Sequence, residues 1–251
     1  MKDNKLKKIL KNNSLTIGSW ITIPSPNVVE IMANNNFDWL CIDIEHNLIN
    51  NESLVNLVRT IQSYKIAALV RVPSNNPDSI KLCMDAGADG IIVPMISTYD
   101  EAKNAVEYTY YPPRGTRGVG LSRAQKYGSG FEEYKKWLDE NAIIICQIEH
   151  YKSIDDLEKI ILVDDIDGLL IGPYDLSASM GYPGQYHRKD VTNKLNKFKS
   201  ICEKHKFSFG IHIVEPDLKV LRKKINDGYN FIAYGTDFNF LNKGIKLYFN
   251  E

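Results

Sequence analysis

Four polar clusters follow short apolar runs in this chain, and their residue types suit proton transfer and stabilisation of a developing negative charge. Asp43-Ile44-Glu45-His46 closes the apolar run that starts at Trp39. A histidine titrates near neutrality, and a carboxylate such as Asp43 would orient its ring and raise its basicity. The same four residues also read as a structural histidine at a strand end. Val70-Arg71-Val72-Pro73 carries a guanidinium on an apolar run, so Arg71 needs an anionic ligand or a carboxylate partner such as Glu45 or Asp43. Gln147-Ile148-Glu149 and Gly172-Pro173-Tyr174-Asp175 set two carboxylates one strand–helix unit apart. Carboxylates at neighbouring strand ends repel, and a hard divalent cation relieves the repulsion. Asp175 equally suits the N-cap of a helix through Leu176-Ser177-Ala178, and spacing alone leaves both readings open.

The other histidines say less. His212 ends a further apolar run and can line the same mouth, His150 follows Glu149, and His187 and His205 sit in polar surroundings. No HxH or HExxH spacing suggests zinc, and no Gly-x-Ser-x-Gly elbow suggests a nucleophilic serine. The apolar runs carry no lysine of the kind imine chemistry requires, which favours metal assistance.

Elements must bring these clusters together. Apolar runs at Leu15–Trp20, Trp39–Ile44, Ala67–Val72, Gly90–Pro94, Ile143–Ile148, Gly168–Ile171, Ser208–Ile213 and Phe231–Tyr234 read as strands. Helical spacing fills the intervals at Ser53–Ser63, Asp78–Ala86, Tyr99–Tyr108, Ser153–Ile161, Val191–His205 and Asp217–Asp227. Spread over eight units, 251 residues give about 31 each, near the ~30 of a strand–helix module. Several strand cores, such as Ile91-Ile92-Val93, are apolar without alternation, as in a parallel sheet buried on both faces. An open doubly wound sheet also fits, but no GxGxxG turn follows the first strand. The expectation is an α/β protein, one (β/α)8 barrel domain over residues 1–251 with a polar N-terminal segment, 1–14. Polar strand ends then converge on one mouth.

The connection from Tyr110 to Trp137 is long and rich in Gly, Pro, Arg and Tyr, which suggests an active-site loop or an interface segment. Lys plus Arg and Asp plus Glu both number 31, so no global field favours nucleic acid or an anionic membrane. Lys2 to Lys11 reads as a polar first helix or arm. Cys41, Cys83, Cys146 and Cys202 are widely spaced in apolar patterns and read as buried free thiols. With no signal-peptide pattern and no run long enough to span a membrane, the expected place is the cytoplasm.

Six segments occur in one order: Gly18-Ser19-Trp20, Ile42-Asp43-Ile44-Glu45-His46, Val70-Arg71-Val72-Pro73, Tyr111-Pro112-Pro113-Arg114-Gly115-Thr116-Arg117-Gly118, Gln147-Ile148-Glu149 and Ile171-Gly172-Pro173-Tyr174-Asp175-Leu176-Ser177. Together they resemble the HpcH/HpaI class II pyruvate aldolases, from about Leu15 to Leu241. The resemblance implies a barrel of the phosphoenolpyruvate/pyruvate type and reversible cleavage of a 4-hydroxy-2-oxo acid or 2-keto-3-deoxy sugar acid. The products would be pyruvate and an aldehyde, formed through a pyruvate enolate held at a divalent metal (Mg²⁺, Mn²⁺ or Co²⁺), with no organic cofactor. By matching position, Glu149 and Asp175 would hold the metal, Arg71 would bind the keto oxygen, and His46 would move the hydroxyl proton, oriented by Asp43. Trp20 and Gln147 would line the pocket, and the backbone around Gly172, Pro173 and Tyr174 would receive the carboxylate. Asp85 matches a position that reaches a neighbouring subunit's mouth, and the resemblance implies a homo-oligomer, a hexamer or trimer, whose last helix packs on a partner barrel. Tyr174 stands where an alanine is usual, Asn47 where small residues are usual, and Met84 where leucine is common. The Arg114, Arg117 and Arg123 loop suggests an acidic co-substrate or a structural role at an interface. A CoA-ester lyase of the citrate lyase β-subunit kind and a non-catalytic barrel subunit are the competing readings.

Overall fold

Runs of four to six apolar, largely β-branched residues form eight strands because each can be buried on both faces only inside a ring of helices. The computed structural model describes residues 4–249; residues 1–3 of the polar N-terminal segment, and residues 250 and 251, lie outside the described part. The strands are β1 Thr16–Ile21, β2 Trp39–Asp43, β3 Ala67–Arg71, β4 Gly90–Val93, β5 Ile143–Ile148, β6 Gly168–Ile171, β7 Phe209–Ile213 and β8 Phe231–Thr236. All pair in parallel, in sequence order, and β8 closes on β1, giving the expected (β/α)8 barrel. The helices are α1 Lys5–Lys11, α2 Pro26–Ala33, α3 Asn51–Ser63, α4 Pro77–Asp85, α5 Tyr99–Thr109, α6 Phe131–Asn141, α7 Ser153–Ile160, α8 Pro173–Ser179, α9 Lys189–Lys204, α10 Leu218–Asn226 and α11 Asp237–Phe249. None among the described residues is long and apolar enough to cross a membrane.

The barrel interior is filled from below. Leu6 and Leu10 of α1 join Trp39, Phe231, Ile143 and Ile145 in one apolar cluster, so the first helix plugs the end where the strands begin. Trp39 stacks on Phe231 at 4.4 Å. A Cβ on Gly18 would lie 2.0 Å from the Trp39 ring, so only glycine fits there. Lys7 follows the plug inward and pairs with buried Asp167 at 2.9 Å, a cation buried with its counter-ion.

A fourfold device ties the strands at this lower end. Immediately before β2, β4, β6 and β8 stand Asp38, Asp89, Asp167 and Asn230. Their side chains accept the backbone N–H of Ile17, Ala68, Ile144 and Phe209 on the preceding odd strands, at 2.8, 2.8, 3.0 and 3.0 Å. Each also donates its own N–H to the carbonyl of that same residue, at 2.8–3.0 Å. The four clasps satisfy strand-end groups that would otherwise be left unpaired.

Above the plug, the period-two alternation of strand side chains carries the inward face upward to Trp20, Asp43, Arg71, Gln147 and His212. Barrel closure at the top is reinforced by Asp237, which accepts the N–H groups of Thr22 and Ile23, each at 2.8 Å. The expected elements match with ends shifted by one or two residues. Among the described residues α1, α2, α6, α8 and α11 fall outside the six helices read from spacing, and α6 occupies the end of the long connection. A polar first helix is an alternative reading for α1, and a helix capped by Asp175 is one for α8. The rest of that connection packs beside the lower ends of α3 and α4: Arg123 donates to Ala86 and Gln62, and Arg59 to Tyr127. All four cysteines are buried and free.

Candidate active site

Strands β2 and β3 place Asp43 and Arg71 side by side in register. Arg71 donates to Asp43 from Nε at 2.9 Å and from Nη2 at 2.8 Å, a bidentate fork that fixes the guanidinium plane. Its cationic carbon lies 4.4 Å from the centre of the Trp20 ring, which forms a cation–π floor. Asp43 is held further by the Asn47 side chain at 2.6 Å and the Glu45 N–H at 3.2 Å. Glu45 reaches Arg71 Nε at 3.2 Å. Burial pushes its carboxyl up to about 7; Arg71 opposes this, while Glu149, Asp43 and Asp175 add to it. His46 projects beyond the strand, its side chain 69% exposed, with Nε2 at 3.5 Å from Glu45. The carboxylate beside His46 is therefore Glu45, and the expected Asp43 partner is committed to Arg71.

Across the mouth, Glu149 follows β5 and is buried. It accepts the Gln147 side chain at 2.6 Å and the Met95 N–H at 2.9 Å. Met95 adopts φ +58, a left-handed conformation that costs a non-glycine residue ~1–2 kcal/mol and aims this amide inward. Burial raises the Glu149 carboxyl above its ordinary range, the Met95 bond opposes, and Asp175 adds like-charge repulsion. Asp175 lies in the first turn of α8 while Gly172 holds the N-cap position, so Asp175 is not the cap. A Cβ on Gly172 would meet Glu149 Oε1 at 3.3 Å and Asp175 Oδ2 at 3.5 Å. The two carboxylates thus face one small cradle that exists because residue 172 has no side chain. Among the described residues no group of three or more His, Cys, Asp or Glu is poised around a point, and what this cradle brings together is one carboxylate from each of Glu149 and Asp175. Two carboxylates completed by water and substrate oxygens fit a hard cation of the Mg²⁺ or Mn²⁺ type.

His212 closes the third side, its ring edge-on to Trp20 at 5.7 Å. Burial, and then Arg71, hold its pKa down at about 4, so it is neutral. Trp20 Nε1, Gln147 Oε1 and His212 Nε2 are buried without hydrogen-bond partners, and Glu45 Oε2 has only its ion-pair contacts. Three such orphaned atoms around one mouth suit a polar ligand. Tyr174 stands exposed at the rim, next to Pro173.

Other candidates lie elsewhere. Asp85 ends α4 at the lower side of the barrel, away from this chain's own mouth, where burial raises its carboxyl and Arg117 opposes. Arg114 pairs with Asp165 and Asp139, and buried Arg117 stacks on Tyr111 at 4.2 Å. Together with Arg123 they serve the structure of the connection. His150 stacks on Tyr151 and accepts from the Lys152 N–H. Glu45 enters the sequence reading only as a possible partner of Arg71, a contact the structure contains, while Asn47 and the Met95 amide have no role assigned there. Glu45 had a signal, since it stands two residues beyond Asp43, but Met95 shows none.

The sequence profile of the HpcH/HpaI aldolase/citrate lyase family matches residues 16–243. The chain belongs to this family. An HpcH/HpaI relative, the hydroxypyruvate/pyruvate aldolase of Sagittula stellata, is 34% identical over 93% of this chain and 92% of its own length. The 5-keto-4-deoxy-D-glucarate aldolase of Salmonella paratyphi C is 34% identical over 93% of this chain and 91% of its own. Among solved structures, an HpcH/HpaI family protein from Burkholderia cenocepacia superposes with a TM-score of 0.91, at 29% identity, covering 97% of each chain. This HpcH/HpaI member is accordingly an enzyme of the aldolase type, a carbon–carbon lyase.

Proposed function

We propose that this chain is a divalent-metal-dependent pyruvate aldolase that reversibly cleaves a 4-hydroxy-2-oxo acid or 2-keto-3-deoxy sugar acid into pyruvate and an aldehyde. The observation that carries this reading is the opposition of a fixed guanidinium, Arg71 on Trp20, to the paired carboxylates Glu149 and Asp175 across one mouth. Cleavage of an aldol leaves negative charge on the former keto oxygen, which needs preorganised positive charge on both sides. Glu149 and Asp175 would hold the cation (Mg²⁺, Mn²⁺ or Co²⁺), which supplies Lewis-acid polarisation of the keto acid when bound. Arg71 donates to the keto oxygen and stabilises the enolate. His46 removes the proton of the C4 hydroxyl as the C3–C4 bond breaks to aldehyde and enolate. C3 of the enolate takes up a solvent-derived proton to give pyruvate. Synthesis runs the same steps in reverse, with His46 returning the hydroxyl proton. Trp20, Gln147 and His212 exclude water from the pyruvate end. The turn Gly172-Pro173-Tyr174 seats the carboxylate with the Tyr174 N–H as its donor, since Pro173 has no N–H and that of Gly172 is bonded to the Ile148 carbonyl. One named relative acts on a deoxy-keto sugar acid, whose aldehyde half carries hydroxyl groups, and this favours a hydroxylated aldehyde fragment here.

An assembly of identical subunits, a trimer or hexamer, is part of this reading. Helix α10 packs on the core only through the partly buried Leu221 and Ile225, and α11 exposes Phe238, Leu241, Ile245 and Leu247. Such a surface favours cover by a second copy, and Asp85 would then face a partner's mouth. Light scattering that returns a monomer at micromolar concentration would contradict it.

The function is tested by deuterium exchange into the methyl group of pyruvate, followed by proton NMR with metal-stripped and metal-restored protein. Metal-dependent exchange that disappears in Arg71→Ala is expected. Folded, metal-binding protein that exchanges nothing would overturn the pyruvate reading.

A further inference from the structure

The hydrogen-bonding capacity of Asp43 is used up. An ionised carboxylate offers about four lone-pair sites. On Oδ1 these receive Arg71 Nε at 2.9 Å and the Glu45 N–H at 3.2 Å; on Oδ2 they receive Arg71 Nη2 at 2.8 Å and Asn47 Nδ2 at 2.6 Å. Nothing is left with which to hold an imidazole. Glu45 is in the opposite condition. Its Oε2 is buried, accepts no hydrogen bond, and lies 3.5 Å from His46 Nε2 and 3.2 Å from Arg71 Nε. Arg71 already has two bonds to Asp43, so its contact with Glu45 is redundant for holding the guanidinium. The contact with His46 has no substitute.

We propose that Glu45, rather than Asp43, is the positioning residue for His46, and that Asn47 makes it so by filling the last oxygen site of Asp43. The proposal rests on the reading of His46 as the proton-transfer group. Its physical content is a choice of tautomer and direction. At 3.5 Å the two groups are in ion-pair contact and not hydrogen-bonded. A small turn of the ring that brings its Nε2–H onto Glu45 keeps the lone pair on Nδ1, and that nitrogen is then the one able to take a proton. An exposed side chain also needs such an anchor, because an untethered imidazole spreads over several rotamers and seldom meets the hydroxyl in line.

The test uses side-chain ¹⁵N NMR of histidine-labelled, magnesium-loaded protein together with aldol kinetics. The chain has five histidines, and His46→Gln identifies the resonances of interest. In Glu45→Gln the His46 signals should move from the Nε2–H pattern toward an average of both tautomers. kcat for aldol cleavage should fall about tenfold with KM for the keto acid unchanged, a part of the 10²–10⁴ that a general base supplies. Removing Asn47 frees Asp43, so Glu45→Gln with Asn47→Ala should recover part of the lost kcat. Unmoved His46 signals in Glu45→Gln would overturn the proposal whatever the kinetics show. So would a rise in KM without a fall in kcat, which would place Glu45 in service of Arg71. If no pyruvate aldol is turned over by the wild type, the functional reading fails while the NMR arm still decides this assignment.

Discussion

Lysine in place of Arg71 keeps the positive charge but removes the fork. Asp43 then retains two of its four hydrogen bonds, those from Asn47 and the Glu45 N–H, and an ammonium can replace only one of the lost pair. A hydrogen bond to a charged group contributes ~1.5–3 kcal/mol, so the cation loses most of what fixes its direction. It also gives up the planar stacking on Trp20 at 4.4 Å. Losing one preorganised donor to a developing oxyanion costs ~10²–10³ in rate, so kcat for cleavage and the rate of pyruvate methyl exchange should both fall about a hundredfold. Glu149 and Asp175 are untouched, so magnesium affinity by calorimetry should stay within about twofold, under 0.5 kcal/mol. Arg71→Lys retaining more than about a third of the wild-type exchange rate would mean that charge alone suffices, and the argument from orientation would fail.

Gly172→Ala should weaken metal binding without changing any charge, because the new Cβ would meet Glu149 Cγ at 3.0 Å and push the carboxylate out of the cradle; unaltered affinity by calorimetry would refute the cradle. Metal-free protein should lose thermal stability as pH rises. The folded value of Glu45, about 7, lies above its ordinary 4.5, so the stability it contributes is complete below about 4.5 and lost as pH rises through about 7. Ionised carboxylates are what a cation binds, so the rise in Tm on adding magnesium should be larger at pH ~8 than at pH ~5, and the reverse order would count against the assignment. Asp167→Ala strands Lys7 as a buried cation and frees the Ile144 amide, which should cost ~3–5 kcal/mol in urea denaturation; a loss under ~1 kcal/mol would show that water reaches Lys7.

The barrel was legible because its signal is repeated eight times, each strand a short apolar run with polar punctuation at its upper end. Residues fixed by strand register, such as Asp43, Arg71 and Gln147, were legible for the same reason: period two decides which way they point. What lay beyond the strands was harder. The partnership of His46 depends on which carboxylate still has a free oxygen, and that is settled by Asn47 four residues from Asp43 in a loop. The Met95 amide depends on one backbone angle that no side-chain pattern announces. The long connection was recognised as special, yet its arginines are spent on packing: Arg117 on the connection's own Tyr111, Arg114 on Asp139 and Asp165 beyond it, and Arg123 on the ends of α3 and α4, a choice that composition does not reveal.

The clasps at the foot of the barrel have a consequence for how the chain divides. They join β1 to β2, β3 to β4, β5 to β6 and β7 to β8, whereas the residues before the odd strands are Leu15, Ile66, Ala142 and Ser208, none of them an aspartate or asparagine. Eight strands that look equivalent in outline are therefore four two-strand modules, each carrying its own fastening within one continuous stretch of chain. A break between β4 and β5 leaves two halves with every fastening intact. A break between β3 and β4 parts Asp89 from Ala68 and spoils one. The natural grain of this polypeptide, along which it can be cut, duplicated or recombined with least damage, runs at every second strand.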